Sequence, residues 1–456
     1  MEMIHLLHTN DVHSHFENWP RITRFLSQKR AAYQKSGDEV LTLDIGDFID
    51  RLHPLTDATL GKFNVDLLNQ AHYDAVTIGN NEGLVLSHDD LSHLYDDAKF
   101  PVLLANLKEL STMQQPDWTR PYHIFTTQQQ TKIAIIGLTA PYDLTYPSLG
   151  WQPLAVEPVL DQLLPSIQAQ ADVIILLSHL GLPTDKKIAQ KYPIDVILGA
   201  HTHHLLETGE YVNGTLLAAA GRYGENIGEV HLTLENGVVK TQSARTTPTY
   251  SLSENDTDHQ VIRHWLLEGE RRLKRYHVAQ LHRDITPDEQ AYDAMQALEH
   301  YLDAPAAMVS TGLFMDTFPA GELDAYGLLE SMPHAINPMK ITLSGQQLLN
   351  LVHGIQEQTA YLSNLPVKGS GFRGKIFGYM RFNGIDVHRD GKVYYAGERI
   401  DLAAHYQLAT VDHYKWLPFF PVIQQAPANI HLEILLRELM AKYYRHRYPE
   451  KTTYGS

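Results

Sequence analysis

Short runs rich in apolar residues alternate with segments of helical periodicity in the first half of the chain. Short apolar runs are typical of strands buried on both faces, and the segments between them, such as 22–33 and 60–72, have an apolar side. This alternation predicts an α/β core whose sheet is covered by helices. The predicted strands are residues 3–7, 41–45, 74–78, 133–138, 173–177 and 196–198.

The pattern changes after the last of these strands. From 215 to 239, β-rich runs and a turn at 235–237 predict antiparallel strands that close the first domain. A polar, turn-rich segment at 244–257 indicates a boundary, and an amphipathic pattern at 259–280 predicts one long helix. From about residue 284 mixed helix and strand signals predict an α+β domain. We therefore predict a first domain at 1–248, a linker with a connecting helix at 249–283, and a second domain at 284–456.

Side chains that can bind metal ions lie at the carboxyl ends of five predicted strands. Ligands of open α/β sheets bind in the crevice outside these ends, so such side chains can converge on one site. Each has an ordinary alternative: Asp47 can cap a helix, Asn80 can form a turn and His179 can be a core histidine. Their joint placement in sequence order favours the shared site. The residues are Asp11, His13, Asp47, Asn80, His179, His201 and His203.

Seven oxygen and nitrogen ligands are too many for one tetrahedral ion. They suit two ions about 3.5–4 Å apart that share a carboxylate, the arrangement used for in-line attack on phosphorus. Asp47 follows a glycine after an apolar run, so it can lie deep enough to bridge the ions. A mixed set of Asp, Asn and His favours manganese, zinc, iron or cobalt, because magnesium and calcium prefer shells of oxygen. The sequence therefore predicts a centre of two divalent metal ions.

Composition limits the partners and the location of the protein. The formal net charge of the 456 residues is −16, which argues against extended nucleic acid but allows a small anionic substrate neutralised by metal ions. The absence of cysteine excludes disulfides, zinc–thiolate sites and thiol nucleophiles. The first residues lack the basic segment of a signal peptide, and no apolar run of about 18 residues predicts a membrane helix. We therefore expect a cytoplasmic protein without a membrane partner.

Five blocks around the candidate ligands resemble those of calcineurin-like metallophosphoesterases. The blocks are Asn10-Asp11-Val12-His13, Gly46-Asp47, Gly79-Asn80-x-Glu82, Ser178-His179-x-Gly181 and Gly199-x-His201-Thr202-His203. The likeness is greatest to the 5′-nucleotidase branch, which has a second, substrate-binding domain. It implies an αββα metallophosphoesterase sandwich followed by an α+β, 5′-nucleotidase-like domain. By this resemblance, metal one takes Asp11, His13, Asp47 and His203, and metal two takes Asp47, Asn80, His179 and His201.

The resemblance also suggests substrate-binding residues in the second half. In relatives this domain stacks a nucleobase between aromatic rings. The candidate rings are Phe372, Phe377, Tyr414, Phe419 and Phe420, of which we single out Phe372, Phe419 and Tyr414. Arg373 is the candidate for binding phosphate, with Arg381 as a second, because segment 310–315 lacks the arginines that relatives place there. A place in the hydrophobic core is the alternative for each ring.

The chain departs from the family pattern at Asn81, where relatives have a histidine that stabilises or protonates the leaving oxygen. An amide can donate a hydrogen bond to a phosphoryl oxygen but cannot give up a proton. Loss of a general acid costs about 10²–10⁴-fold in rate. We therefore expect a weaker enzyme, one suited to easier leaving groups, or one that uses another histidine. The candidates are His53, His88 and His204, and a surface histidine is the alternative for each.

The sequence predicts metal-dependent hydrolysis of phosphate esters of small metabolites, with nucleotides as the leading substrate class. In this hypothesis a hydroxide that bridges the metals attacks phosphorus, Asp47 bridges the metals, and Asn81 helps to hold the oxyanion. Two alternatives stay open. One is a phosphodiesterase acting on cyclic nucleotides or nucleotide sugars. The other is a non-catalytic, metal-binding sensor derived from the enzyme, which the residue at Asn81 motivates.

Overall fold

A computed structural model of the chain describes residues 1–367 and 371–449. These residues form two compact units, one spanning Met1–Gly269 and the other starting at Glu270. Within the described ranges, every helix is too short or too polar to cross a membrane.

The first unit consists of β-sheets and the helices that connect their strands. Its strands are β1 Glu2–Thr9, β2 Glu39–Asp44, β3 Ala75–Val76, β4 Leu107–Glu109, β5 Tyr122–Thr126, β6 Lys132–Thr139, β7 Trp151–Pro153, β8 Val173–His179, β9 Val196–Gly199, β10 Glu210–Val212, β11 Thr215–Ala218, β12 Asn226–Glu235 and β13 Val238–Pro248. Its helices are α1 Trp19–Ser36, α2 Pro54–Thr59, α3 Lys62–Gln70, α4 Asn80–Val85, α5 His88–Ser92, α6 Val156–Gln168 and α7 Leu182–Lys191, and α8 Asp258–Leu273 begins in this unit.

Two large sheets carry the strand ends named above. One has the order β13-β12-β1-β2-β3 and the other the order β10-β11-β9-β8-β6-β5. Strands β1, β2 and β3 are parallel, and so are β6, β8 and β9. The carboxyl ends of each parallel set therefore lie at one edge of its sheet, where the predicted ligands follow.

Side chains from both sheets share one core. Ile4 of β1, Leu43 of β2 and Ile135 of β6 are fully buried in the same cluster. The next residue of β6, Ile136, belongs to a different cluster together with Leu160 of α6. Because successive side chains of a strand point to opposite faces, the second sheet is covered by the first sheet on one side and by helices on the other. This is the predicted sandwich.

The second unit has the predicted α+β composition. Its main sheet has the order β18-β15-β22-β17-β23, and the amino ends of α9 and α11 are closed by capping boxes. The strands are β14 His277–Leu281, β15 Ala307–Ser310, β16 Gly321–Asp324, β17 Pro338–Ser344, β18 Met380–Asn383, β19 Ile385–Val387, β20 Val393–Tyr395, β21 Glu398–Arg399, β22 His405–Val411 and β23 Ala428–Ile430. The helices are α9 Pro287–Leu302, α10 Ala325–Ser331, α11 Gly345–Glu357, α12 Thr359–Leu362, α13 Pro421–Gln425 and α14 Leu436–Arg447.

The predicted helix over 259–280 is wrong at its carboxyl end. Helix α8 ends at Leu273, and the following β14 pairs antiparallel with β16. Val278 and Leu281 of β14 are buried. The partner strand begins 40 positions after β14 ends, so helical periodicity alone could not reveal the strand.

The predicted antiparallel closure of the first unit is correct only in part. Strands β12 and β13 form the expected hairpin, and Asn236 and Gly237 have the positive φ angles, 51° and 76°, that its tight turn needs. Strand β11, however, pairs parallel with β9 and therefore extends the second sheet. Strand β13 also reaches Pro248, so the first residues of the polar segment 244–257 are strand.

Candidate metal centre

The loops after the strand ends bring five predicted ligands into one cluster. Among the described residues, Asp11, His13 and His203 form one group of candidate ligands, and Asp11, Asp47 and His179 form another. Within each group the ligand atoms lie within 4.8 Å of one another. Asp11, Asp47 and His179 are fully buried, so the carboxylates need a partner that offsets the cost of removing their charge from water.

The individual distances fit ligands that surround shared cations. His203 Nε2 lies 3.4 Å from Asp11 Oδ1 and 3.3 Å from His13 Nε2. His179 Nε2 lies 3.5 Å from Asp47 Oδ2 and 4.0 Å from Asp11 Oδ1, and His13 Nε2 lies 3.6 Å from Asp47 Oδ2. Ligands that each lie about 2.0–2.2 Å from one ion are separated by roughly 3–3.5 Å. Three of the five distances fall in this range and two lie slightly above it, so the spacing fits ligands around shared ions.

Two buried atoms at this cluster have no hydrogen-bond partner in the described chain, His179 Nε2 and Asn80 Oδ1. His179 Nδ1 lies 2.7 Å from the carbonyl oxygen of Ile45, to which it donates, so Nε2 faces the carboxylates. A carbonyl that fixes the second nitrogen of a histidine is the usual support of a metal ligand. A cation would satisfy both orphaned atoms. The residues present therefore fit divalent metal ions.

The electrostatics of the chain without metal lead to the same conclusion. Burial alone would lower the pKa of His179, but the carboxylates of Asp47 and Asp11 raise it to about 10. Burial alone would raise the pKa of Asp47, but His179 and His13 hold it well below its ordinary value. A proton on His179 thus compensates the negative charge that a bound cation would neutralise.

The backbone at the ligands adopts a conformation that is uncommon for residues other than glycine. Positive φ angles occur at Asp11 (49°), His13 (50°), Asp47 (51°), His201 (73°) and His203 (57°). Such conformations cost about 1–3 kcal/mol each and persist where the surrounding structure imposes them. Their concentration at the predicted ligands indicates that the loops are shaped to present these side chains.

Two buried polar residues hold the ligand loops in place, and in the sequence they were only members of motif blocks. The amide of Asn10 donates to Asp11 Oδ2 at 2.8 Å and to the carbonyl oxygen of Gly221 at 2.7 Å. The carboxylate of Glu82 accepts from the backbone nitrogens of Asp47 and Gly79 at 3.0 and 2.9 Å. Burial and the charge of Asp47 raise the pKa of Glu82 to about 7. Their positions beside the ligands were the signal that could have identified them.

The other two predicted ligands border the cluster. The backbone nitrogen of His201 donates to both carboxylate oxygens of Asp11 at 3.2 and 3.1 Å, and its ring lies 5.2 Å from that of His179. Asn80 begins α4, and the backbone nitrogen of the next residue, Asn81, donates to Asp47 Oδ1 at 2.7 Å. The backbone nitrogens of His201 and of the residue after Asn80 thus bind the carboxylates of Asp11 and Asp47.

Asn81 lies inside the site and contacts a predicted ligand. Its Nδ2 atom is 3.0 Å from His13 Nδ1 and donates to the carbonyl oxygen of Ile49 at 3.1 Å.

Two of the histidines proposed as replacement acids pack against aromatic rings. His53 lies against Phe16 and Phe63, and His88 stacks on Trp151. The third, His204, is exposed and contacts Thr202.

Residues 4–205 match the family described as calcineurin-like phosphoesterase. The chain is 38% identical to a Bacillus subtilis (strain 168) protein named "Uncharacterized metallophosphoesterase YunD", over 96% of this chain and 98% of that protein. The chain belongs to the calcineurin-like phosphoesterase family. This phosphoesterase is therefore a phosphoric ester hydrolase, and the resemblance seen in its sequence blocks is confirmed.

The phosphoesterase also resembles other proteins along nearly all of its length. It is 24% identical to Protein UshA of Yersinia enterocolitica, over 98% of this chain and 91% of that protein. The crystal structure of a 5′-nucleotidase precursor from Thermus thermophilus aligns with TM-score 0.61 and 17% identity, covering 98% and 96% of the two chains. The structure of the Haemophilus influenzae NAD nucleotidase aligns with TM-score 0.66 and 17% identity, covering 98% of this chain and 97% of that chain. The predicted fold of both halves is thereby confirmed.

In the second unit of the phosphoesterase, burial argues against base stacking by two of the singled-out rings. Phe372 and Tyr414 are 3% and 0% exposed. Phe372 lies between the imidazoles of His334 and His413, with centroid distances of 4.8 and 5.3 Å, and the hydroxyl of Tyr414 accepts from the backbone nitrogen of Ser310. Neither ring has an open face for a nucleobase. Both rings are therefore accounted for as members of the hydrophobic core. The same holds for Phe377 and Phe420.

The remaining substrate-binding candidates are partly exposed. Phe419 packs edge-on against Phe377 at 5.4 Å, and the backbone nitrogen of Arg373 donates to a buried imidazole at 2.9 Å. The guanidinium of Arg381 lies 5.4 Å from the ring centre of Tyr379, which is 49% exposed. Tyr379 was not among the rings predicted from the sequence because exposure, which separates it from the core rings, is a property of the folded unit.

Proposed function

We propose that this phosphoesterase hydrolyses phosphate monoesters of small metabolites, with nucleotides as the first class to test, and that it uses two divalent metal ions. The observation that carries the proposal is the convergence of buried carboxylates and imidazoles around the orphaned nitrogen of His179. A relative that is 26% identical over 52% of the chain is named "Trifunctional nucleotide phosphoesterase protein YfkN" of Bacillus subtilis, which supports the choice of nucleotides.

The chain's own residues would bind the ions and shape the site. One ion would be held by Asp11, His13, Asp47 and His203, and the other by Asp47, Asn80, His179 and His201, with manganese, zinc, iron and cobalt as the suitable metals. When bound, the ions would activate water as the nucleophile and neutralise the charge of the phosphate. Asn10 would orient the carboxylate of Asp11, and Glu82 would fix the backbone that carries Asp47, in the positions that this binding needs.

Asn81 would take the place of the histidine found in relatives without transferring a proton. Its amide has two N–H donors, and in this structure it directs them towards His13 and the carbonyl oxygen of Ile49. We propose that it supports His13 by packing against the ring, keeps one N–H on the carbonyl oxygen of Ile49, and turns the other from His13 to a phosphoryl oxygen when substrate binds. Esters with good leaving groups, which need little proton donation, should therefore be the better substrates.

The proposed contribution of the second unit to substrate binding rests on exposure. Arg373 and Phe419 remain the predicted residues with accessible surface. Tyr379 with Arg381 is an additional pair that combines a partly exposed ring with a guanidinium, which is ion-paired with Asp288 at 2.8 Å and which a phosphate would have to take over. An aromatic face and a guanidinium together match the base and phosphate of a nucleotide.

The experiment measures turnover of three esters by enzyme purified with manganese. The substrates are p-nitrophenyl phosphate, bis-p-nitrophenyl phosphate and AMP, and metal content is determined by elemental analysis. We expect hydrolysis of the monoesters, and we expect Asp47→Ala to abolish it. Asp66→Ala, at an exposed position of α3, is the matched control and should leave turnover unchanged.

Each other outcome selects an alternative. Hydrolysis of the diester alone would favour the phosphodiesterase. Two bound metals without turnover of any ester would favour the sensor and contradict both enzymatic functions. Turnover that survives Asp47→Ala would contradict the bridging role of that carboxylate.

A further inference from the structure

The loop after β6 brings a tyrosine into contact with the metal centre. β6 lies beside β8 in the second sheet, and no site residue was predicted at its carboxyl end. The hydroxyl oxygen of Tyr142, three residues past that end, lies 3.3 Å from His201 Nε2. The two rings meet edge to face, with centroids 6.1 Å apart and an interplanar angle of 72°.

The position of Tyr142 is fixed by its own loop. Its carbonyl oxygen accepts from the backbone nitrogens of Thr145 and Tyr146, both at 3.1 Å, and its backbone nitrogen donates to the carbonyl oxygen of Ala140 at 3.1 Å. Tyr146 is fully buried and anchors the turn. The phenol of Tyr142 is therefore held towards His201 by a short, closed turn.

The contact determines which nitrogen of His201 is left to bind an ion. A histidine ligand usually binds through one ring nitrogen and donates the N–H of the other to a neighbouring group, which fixes its tautomer and orientation. A tyrosine hydroxyl can accept such a bond. With Nε2 facing Tyr142, Nδ1 is the nitrogen available to a cation. His179 has the opposite arrangement, because its Nδ1 donates to Ile45 and its Nε2 faces the carboxylates.

The backbone of His201 is held separately from its ring. Its nitrogen donates to the carboxylate of Asp11, and its φ angle of 73° places the residue in the left-handed region. These features set the direction of the Cα–Cβ bond but leave the rotation of the imidazole free. Among the described residues, the contact with the Tyr142 hydroxyl is the side-chain hydrogen bond that can set this rotation.

We propose that Tyr142 is a positioning residue that accepts a hydrogen bond from His201 Nε2 and so orients Nδ1 towards the second metal ion. This inference rests on the proposed two-metal function. It differs from a catalytic role for the phenol, in which the hydroxyl would donate directly to an oxygen of the substrate and leave metal binding unaffected.

Tyr142→Phe tests the proposal because it removes the hydroxyl and keeps the ring. Tyr250→Phe is the matched control, since Tyr250 is 81% exposed. Binding of Mn²⁺ to metal-free protein is followed by isothermal titration calorimetry, and the bound ions are counted by elemental analysis. Loss of a group that supports a ligand typically weakens metal binding by about 10–100-fold. We expect this loss at one of two sites in Tyr142→Phe, no change in Tyr250→Phe, and recovery of kcat at saturating Mn²⁺.

The outcomes separate this proposal from the proposed function. Equal Mn²⁺ affinities in the wild type and Tyr142→Phe, with two ions bound to each, would overturn the positioning role alone. Equal affinities with a lower kcat at saturating Mn²⁺ would assign the hydroxyl to the substrate instead. A wild-type chain that binds fewer than two ions would overturn the metal centre and this proposal with it. Thermal unfolding of the metal-free variants should match the wild type, and a fall for Tyr142→Phe alone would identify a general structural role.

Discussion

Gly79 provides a stringent test of the metal centre, because the residue lies against two of its ligands. A Cβ atom added at this position would lie 2.1 Å from Asp47 Oδ1, 2.5 Å from His179 Cε1 and 2.6 Å from His179 Nε2. The φ angle of Gly79 is −101°, which any residue can adopt, so Gly79→Ala adds a steric effect and no backbone strain. Favourable contacts between such atoms require about 3.5 Å. The methyl group therefore forces the carboxylate, the imidazole or both to move by roughly 1 Å.

A displacement of this size has a predictable cost. Misplacement of reacting groups by about 1 Å can lower a rate by about 10²-fold. We expect Gly79→Ala to reduce kcat/KM for p-nitrophenyl phosphate by about that factor and to weaken Mn²⁺ binding by about tenfold or more. Calorimetric titration of metal-free protein measures the affinity, and steady-state kinetics measure the rate.

A second glycine provides the control. Gly354 lies inside α11, and a Cβ there would find its nearest neighbour, Gln358 Nε2, at 3.9 Å. Gly354→Ala should leave both measurements unchanged and stabilise the protein by up to about 1 kcal/mol through helix propensity. Wild-type Mn²⁺ affinity and activity in folded Gly79→Ala would refute the assignment of Asp47 and His179 to the metal centre.

Two further changes test the electrostatics of the first unit and the missing acid. Burial alone would raise the pKa of Glu229, but Arg245 and Lys29 lower it to about 2. Glu229→Gln should therefore cost about 2 kcal/mol at pH 7, less than the full shift because Arg245 is half exposed. Since the folded-state pKa is depressed, this stability is present above pH 4.5 and is lost as the pH falls towards 2. Urea unfolding from pH 7 to 3 should show the difference from wild type shrinking in acid; a constant difference would contradict the linkage, and exposed Glu235→Gln is the control. Asn81→His should raise hydrolysis of AMP by about tenfold or more relative to p-nitrophenyl phosphate if proton donation limits the rate; an unchanged ratio would count against that explanation.

The parts of the site that could be predicted from the sequence depend on local structure. Asp47 and His179 could be placed because each follows a short apolar strand, and parallel strands present their carboxyl ends at one edge of a sheet. The motif blocks added the order of the ligands. The positive φ angles at these ligands agree with the general rule that strained backbone conformations concentrate in functional loops.

The parts that could not be predicted depend on contacts between distant residues. Tyr142 contacts His201, which lies 59 positions further along the chain. The sequence around Tyr142 looks like that of any loop after a strand. The rings of Phe372 and Tyr414 are aromatic positions like any other in the sequence, and only the folded unit shows that neighbouring side chains cover them. Strand β14 continued the pattern of α8 and was separable from it only through pairing with β16.

Contacts between distant residues also change the interpretation of Asn81. By the motif alone, Asn81 marks a position where the histidine of relatives, and with it a proton donor, is missing. In the structure its amide already contacts His13 and the carbonyl oxygen of Ile49, so a larger imidazole at position 81 would have to displace contacts that steady a predicted metal ligand. The two functions of the position therefore predict different effects of Asn81→His on Mn²⁺ affinity. If the position only lacks a donor, the rate on poor leaving groups rises at unchanged affinity. If the amide supports His13, the affinity falls, and restoring the acid cannot by itself restore the rate.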